Sequence, residues 1–320
     1  MTMIVYLCAI VKREVPQMTI RQCFDRFIAD RMVYCADKTI RTYTMHLDLF
    51  LRWLSNTYGP IEQIGFEQFP SSDNIFTNYI LYLRSKSSCK NVTIRSYARS
   101  IKAFLAYCYE EDLCQDYLKK VKLPKDDSLP KQPLLEEEVL LLDSCFDKKT
   151  IKGIRNYCIV HLMLDCGLRS QEVRSLCFEH LDPAHNLLHI YVSKECKSRI
   201  TMIPGFLLDA ISSYQFLEQR RSGVIFHGLR DNAPLSENAL KQIFSDLKAE
   251  SGITRLHAHL LRHTFATSYL MGGGYLEFLR VLLGHYDYTV TKNYSSLAAQ
   301  YRMLGIPVYK LDPIFFRVLP

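Results

Sequence analysis

No two of the 11 cysteines are spaced C-x-x-C, so the paired thiolates of a structural zinc site are missing. An odd cysteine count without a framework points instead to reduced, mostly buried thiols in a cytosolic protein. No segment approaches the ~18 consecutive apolar residues that a bilayer-spanning helix needs. The run Ile4–Val11 is too short and lacks a basic start, so it is neither a span nor a secretion signal. No carboxylate cluster suited to a two-metal phosphoryl transferase stands at a recognisable spacing, and no internal repeat is evident. Strong charge bias is absent too. Forty Lys and Arg against 33 Asp and Glu leave a net charge of +7, which permits a polyanionic partner without requiring one. With 48% hydrophobic and 23% charged residues, the composition excludes a disordered or collagen-like chain.

A length of 320 residues suggests two domains. Residues 18–118 read as helical. Thr39 is placed to cap a helix with Ile40, Tyr43, Leu47, Phe50, Leu51 and Leu54 on one side, ended by Gly59 and Pro60. A second amphipathic helix covers 74–85. A third, from Thr93, carries Ile94, Tyr97, Ile101, Phe104, Leu105 and Cys108 as its apolar stripe. Arg95, Arg99 and Lys102 fall at i, i+4 and i+7 and share another face, either a row of phosphate contacts or a merely solvated surface.

Between residues 119 and 134 the sequence KKVKLPKDDSLPKQPL has three prolines, five lysines and no apolar period. It reads as a linker, and Lys119, Lys120 and Lys122 would suit a strap against a polyanion. Beyond it, 134–147 is an amphipathic helix and 157–166 a helix buried nearly all round. The runs 187–193 and 199–204 form a hairpin around KECKS, followed by helices near 206–220, 236–250, 262–271 and 275–284. The fold class expected is mainly α with a small β-sheet (α+β), residues 1–17 preceding it as an extension.

Chemistry-bearing residues come from four places. In Gly167-Leu168-Arg169-Ser170-Gln171-Glu172, Gly167 can end the buried helix and Ser170 can cap the next. Arg169 then sits where an anion is favoured, with Glu172 three residues on to hold its guanidinium. Lys194, Lys197 and Arg199 belong to the hairpin, as a proton donor at its tip or as exposed charge. His259 and Arg262 stand in H-x-x-R, on one helix face. His227 and Arg230 repeat that spacing but precede a turn and are set aside. Last come Gly284-His285 and, nine residues later, Tyr294. Guanidinium groups match phosphate oxygens and stabilise a pentacoordinate transition state. Histidine accepts a phenol proton, tyrosine forms a covalent phosphoester, and lysine can protonate the departing alkoxide.

This ordered series of G-L-R-S-Q-E, a hairpin lysine, H-L-L-R-H-T-F-A-T, L-G-H and a tyrosine resembles the tyrosine recombinases of the phage-integrase family across residues 135–300. Residues 18–118 are similar to that family's helical core-binding domain. The resemblance implies that Arg169 and Arg262 are the arginine pair and Lys194 the general acid. It makes His259 and His285 the histidines, Tyr294 the nucleophile and Glu172 the support of the pocket. It further implies a catalytic domain over 135–320, a 3′-phosphotyrosyl intermediate, no metal or nucleotide cofactor, and four protomers on two DNA duplexes. Leu260 departs from the smaller or polar residue usual after that histidine. Only about 17 residues precede the core-binding part, so a short form is expected, Xer-like or from a mobile element. Two alternatives remain: a catalytically silent DNA-binding protein of this fold, and a nicking-closing enzyme like the type IB topoisomerases. The apolar end of the chain, residues 311–320, is expected to dock on a neighbouring protomer.

Overall fold

The computed structural model describes residues 18–316 except 71, 87–88, 120, 125–130, 192–197, 230–232 and 286–287. The chain divides into two units, residues 1–129 and 130–320.

The first unit is built from α1 (Ile20–Tyr34), α2 (Asp37–Tyr58), α3 (Ile75–Ser85) and α4 (Asn91–Glu110). Thr19 opens α1 with a reciprocal cap: its hydroxyl accepts from the Gln22 N–H, and the Gln22 side chain accepts from the Thr19 N–H. The apolar stripes of all four helices meet in one core, where Phe27 stands edge-on to Phe104 at 5.5 Å and Phe50 to Tyr79 at 5.0 Å. Thr39 is not a cap. The helix begins at Asp37, behind Ala36, and Thr39 donates its N–H to Ala36 inside the first turn. An acidic side chain in that turn favours the earlier start. Arg95 also departs from expectation. It is half-buried, and its Nη1 donates to the Pro124 carbonyl at 2.7 Å, so it holds the incoming linker rather than joining an exposed row. Val121 and Leu123 pack against the same core.

The second unit contains α5 (Glu136–Ser144), α6 (Ile151–Leu164), α7 (Ser170–Arg174), α8 (Gly205–Glu218), α9 (Glu237–Ser251), α10 (Ala258–Met271), α11 (Leu276–Leu283) and α12 (Tyr288–Met303). A three-stranded antiparallel sheet runs in the order β1 (Leu181–Asp182), β2 (Leu187–Ile190), β3 (Arg199–Met202). Helix α6 is buried from Ile154 to Leu164 and packs against α8 and α10. Its polar members are paired: Arg155 donates to Asn156 Oδ1 and the His227 carbonyl, and His161 lies between Asp143 and Asp165. In the sheet, Ile190 pairs with Arg199 and Leu188 with Thr201. Arg199 and Thr201 therefore face inward with Leu188, while Ile200 is 49% exposed. That is the reverse of what hydropathy alone assigns to R-I-T-M.

Helix α10 starts at Ala258, four residues before the expected 262, and α12 has no clear apolar stripe to announce it. The described end of the chain packs on its own unit. Leu311 and Phe315 join a cluster with Phe265, Tyr269, Leu279 and Leu283 of their own unit, and Phe316 stacks on Tyr269 at 5.7 Å. Residues 311–316 thus pack on their own unit, and residues 317–320 lie outside the described residues. Gly272 makes the room, since a Cβ there would lie 2.3 Å from Phe316 Cζ. No α-helix runs from Tyr309 into Pro313. Tyr309 instead donates its N–H to the Leu134 carbonyl, and Pro313 opens a short 3-10 turn. Among the described residues, no helix is long and apolar enough to cross a membrane.

Candidate active site

The turn after α6 places the first arginine. Gly167 has φ +66°, and a Cβ there would approach Phe265 Cδ1 to 2.6 Å, so both conformation and packing favour glycine. Arg169 then occupies the cap position of α7, which the sequence assigned to Ser170. The cause is Glu172, whose carboxylate reaches back to accept the Arg169 N–H at 2.7 Å and its Nη1 at 2.9 Å. The other end of the Arg169 guanidinium donates to the Gly284 carbonyl at 3.2 Å.

Glu172 is buried and gathers three guanidinium groups. Arg199 meets it two-pronged, Arg169 from its own turn, and Arg262 approaches to 4.0 Å. Burial alone would raise the Glu172 pKa. The hydrogen bonds and charge of Arg199, then those of Arg169, hold it down at about 2. One carboxylate against three cations leaves the pocket net positive and ready for an anion.

Arg262 projects from α10 and is almost wholly enclosed. Its Nη1 donates to the Gly167 carbonyl, and its Nη2 to the Leu283 carbonyl at 2.6 Å and to His285 Nε2 at 3.1 Å. Burial first, then Arg169, push its pKa down, yet it stays cationic at neutral pH. Because His285 Nε2 accepts from Arg262, its proton lies on Nδ1, 2.9 Å from the hydroxyl of fully buried Thr291. Burial and then the charges of Arg262, Arg169 and Arg199 lower the His285 pKa to about 4, so the imidazole is neutral. Gly284, which closes α11 at φ +60°, brings this histidine round; a Cβ there would touch Arg199 Cδ at 3.0 Å.

Tyr294 lies on α12 with its ring 6.5 Å from that of His285 and 5.2 Å from that of His263. Burial raises its pKa, opposed by Arg262 and Arg169. The structure therefore brings Arg169, Glu172, Arg262, His285 and Tyr294 into one pocket. His259, in the first turn of α10, is solvent-exposed, and Leu260 beside it is absorbed into the core. Lys194 lies outside the described residues, as does Lys120. Arg99, Lys102, Lys119 and Lys122 are exposed. Three residues carry more than the sequence suggested: Arg199, read there as hairpin charge, and Thr291 and His263, to which it gave no part. No signal in the sequence marked Arg199, since the hydropathy of R-I-T-M assigns Ile200 and Met202 to the inner face.

The sequence model of the Phage integrase family matches residues 133–300. The chain belongs to the phage integrase family. It is a tyrosine recombinase, of a class of DNA strand-transferring enzymes that recombine at specific sites through a tyrosine intermediate. Tyrosine recombinase XerC of Bacillus pumilus (strain SAFR-032) is 29% identical over 273 residues, covering 81% of this chain and 86% of that protein. XerC of Staphylococcus haemolyticus (strain JCSC1435) is 27% identical over 268 residues, covering 82% and 87%. The integrase of transposon Tn1549, solved with circular intermediate DNA, shares the fold at a TM-score of 0.69 and 17% identity, over 89% of this chain and 100% of that one. XerH, solved in a post-cleavage complex with its palindromic difH substrate, shares it at 0.65 and 17% identity, over 90% and 84%.

Proposed function

We propose that this recombinase cuts and rejoins double-stranded DNA with Tyr294 as nucleophile. The phenol oxygen attacks the phosphorus, the bond from phosphorus to the 5′ oxygen breaks, and a 3′-phosphotyrosyl link with a free 5′-hydroxyl results. Arg169 and Arg262 take the non-bridging oxygens and stabilise the charge that builds on them. A neutral imidazole, His285 or His259, receives the phenol proton, and Lys194 protonates the departing 5′ oxygen. Glu172 holds the arginines without touching DNA. Religation runs the same steps backwards with a 5′-hydroxyl from the partner duplex, and no metal or nucleotide cofactor enters.

The observation that carries this reading is the convergence of Arg262, neutral His285 and Tyr294 from α10, α11's end and α12, three separate places in the chain. A silent DNA-binding protein would have no need to keep these groups together. Arg99, Lys102, Lys119, Lys120 and Lys122 are proposed contacts to the phosphate backbone. Four copies on two duplexes make up the reacting assembly in this reading. The biological role is integration or excision of a mobile element, or resolution of chromosome or plasmid dimers, in the cytoplasm. The test is trapping on a nicked suicide duplex in excess EDTA. The wild-type chain forms a covalent adduct, and Tyr294→Phe binds the duplex without forming one. Adduct from the Phe variant, or strict need for Mg²⁺, would overturn the assignment. Relaxation of supercoiled DNA lacking any specific site would favour the nicking-closing alternative.

A further inference from the structure

The segment that enters the second unit is stitched along the helix carrying the catalytic arginine. The Pro133 carbonyl accepts from Arg255 Nη2 at 3.2 Å, just before α10. The Leu134 N–H donates to Thr264 Oγ1 at 2.9 Å. Ahead of both in the entering segment, the Lys131 carbonyl takes a hydrogen bond from His263 Nε2 at 2.7 Å. A carbonyl only accepts, so Nε2 carries the proton. Burial lowers the His263 pKa, so the ring is a neutral imidazole with its Nδ1 unprotonated.

The other face of this ring meets Tyr294, with centroids 5.2 Å apart and planes at 47°. Among the described residues, no hydrogen bond holds the Tyr294 hydroxyl. Its place is set by what its ring touches: His263, His285 and the apolar cluster around Phe265. A nucleophile placed in this way is sensitive to small displacements of its neighbours, and a shift of about 1 Å can cost 10²-fold in rate.

We propose that His263 is a positioning residue for Tyr294, one that ties the place of the nucleophile's ring to the main chain at Lys131. The inference rests on Tyr294 being the nucleophile. It gives the histidine after Arg262 a task distinct from proton transfer. Residues 131–134 open the second unit, so a shift of that segment reaches Tyr294 through the His263 side chain.

The experiment measures single-turnover adduct formation on a nicked suicide duplex, beside duplex affinity and thermal unfolding, for His263→Ala, His263→Phe and His263→Gln. His263→Phe keeps a ring but loses the donor; His263→Gln keeps a donor that can reach the Lys131 carbonyl. Expected for Ala and Phe is a fall in adduct rate of roughly 10–100-fold, with affinity within about twofold of wild type. His263→Gln should recover most of the rate. Three variants all within twofold of wild type would overturn the proposal. So would equal losses in all three, including Gln, or losses that track a lowered unfolding temperature. Tyr294→Phe, run alongside, separates the two claims: adduct from that variant sinks the nucleophile assignment itself, whereas its absence leaves that assignment standing whatever His263 does.

Discussion

Arg199 and Glu172 meet end on, Nη1 to Oε1 at 2.6 Å and Nη2 to Oε2 at 2.8 Å, with both side chains 4% exposed. They come from different layers, β3 and α7, and Arg199 is locked further by donating Nε to the Leu282 carbonyl at 2.7 Å. The pair joins the sheet to the turn bearing Arg169 and to the end of α11 that presents His285. It is a buried ion pair in which each of the three Arg199 nitrogens donates a hydrogen bond.

Removing one partner should therefore be severe. Arg199→Ala leaves Glu172 buried with only Arg169 in hydrogen-bond contact, and a loss of about 3–5 kcal/mol is expected. Arg199→Lys keeps the charge but cannot make the two-pronged contact and the Leu282 bond together, so it should fall between. Urea unfolding followed by circular dichroism measures both. An Ala variant within about 0.5 kcal/mol of wild type would show that the pair does not hold the pocket together.

Arg262 is asked to stabilise charge that exists only in the transition state. By analogy with the loss of one such donor, Arg262→Ala should slow adduct formation by about 10²–10³-fold. Duplex affinity should fall far less. If rate and affinity drop by the same factor, the arginine only anchors the DNA backbone.

The His161 network predicts a dependence of stability on pH. Burial opposes its charge, but bonds of 2.7 Å to Asp165 and 2.8 Å to Asp143 outweigh this and raise its pKa from 6.5 to about 9. A pKa raised in the folded state means that the folded protein holds the proton more tightly than the unfolded chain. The stabilisation is complete below about pH 6.5 and is lost as pH rises through about 9. Unfolding midpoints at intervals across that window should decline, and His161→Gln should flatten the slope. A wild-type midpoint that stays level would refute the charged state of His161.

The tail offers a check on its cis packing. Phe315 is 1% exposed and edge-on to Phe265 at 5.3 Å. Phe315→Ala should cost about 3–5 kcal/mol. Deletion of 311–320 should lower the unfolding temperature of the isolated chain, without any DNA present. A truncated chain as stable as the full one would return the tail to the role of a link between protomers.

Much of this was legible from residue order alone. The helices α3, α4 and α6 announce themselves because a helix side is written in neighbours three and four apart, which one pass along the chain reveals. The order Arg169, Arg262, His285, Tyr294 likewise survives in the linear sequence, since each sits in a local motif. Three things were decided only in the folded unit: that Arg199 turns inward while Ile200 faces out, that Phe315 fills a cluster of its own unit, and that Thr291 receives the Nδ1 proton of His285, whose tautomer Arg262 sets. Each depends on a partner between 6 and 50 residues away in the chain. Periodicity says which side of an element is apolar. It says nothing about a buried carboxylate waiting on another element, and the electrostatic gain of meeting Glu172 is what overrides the hydropathy of Ile200.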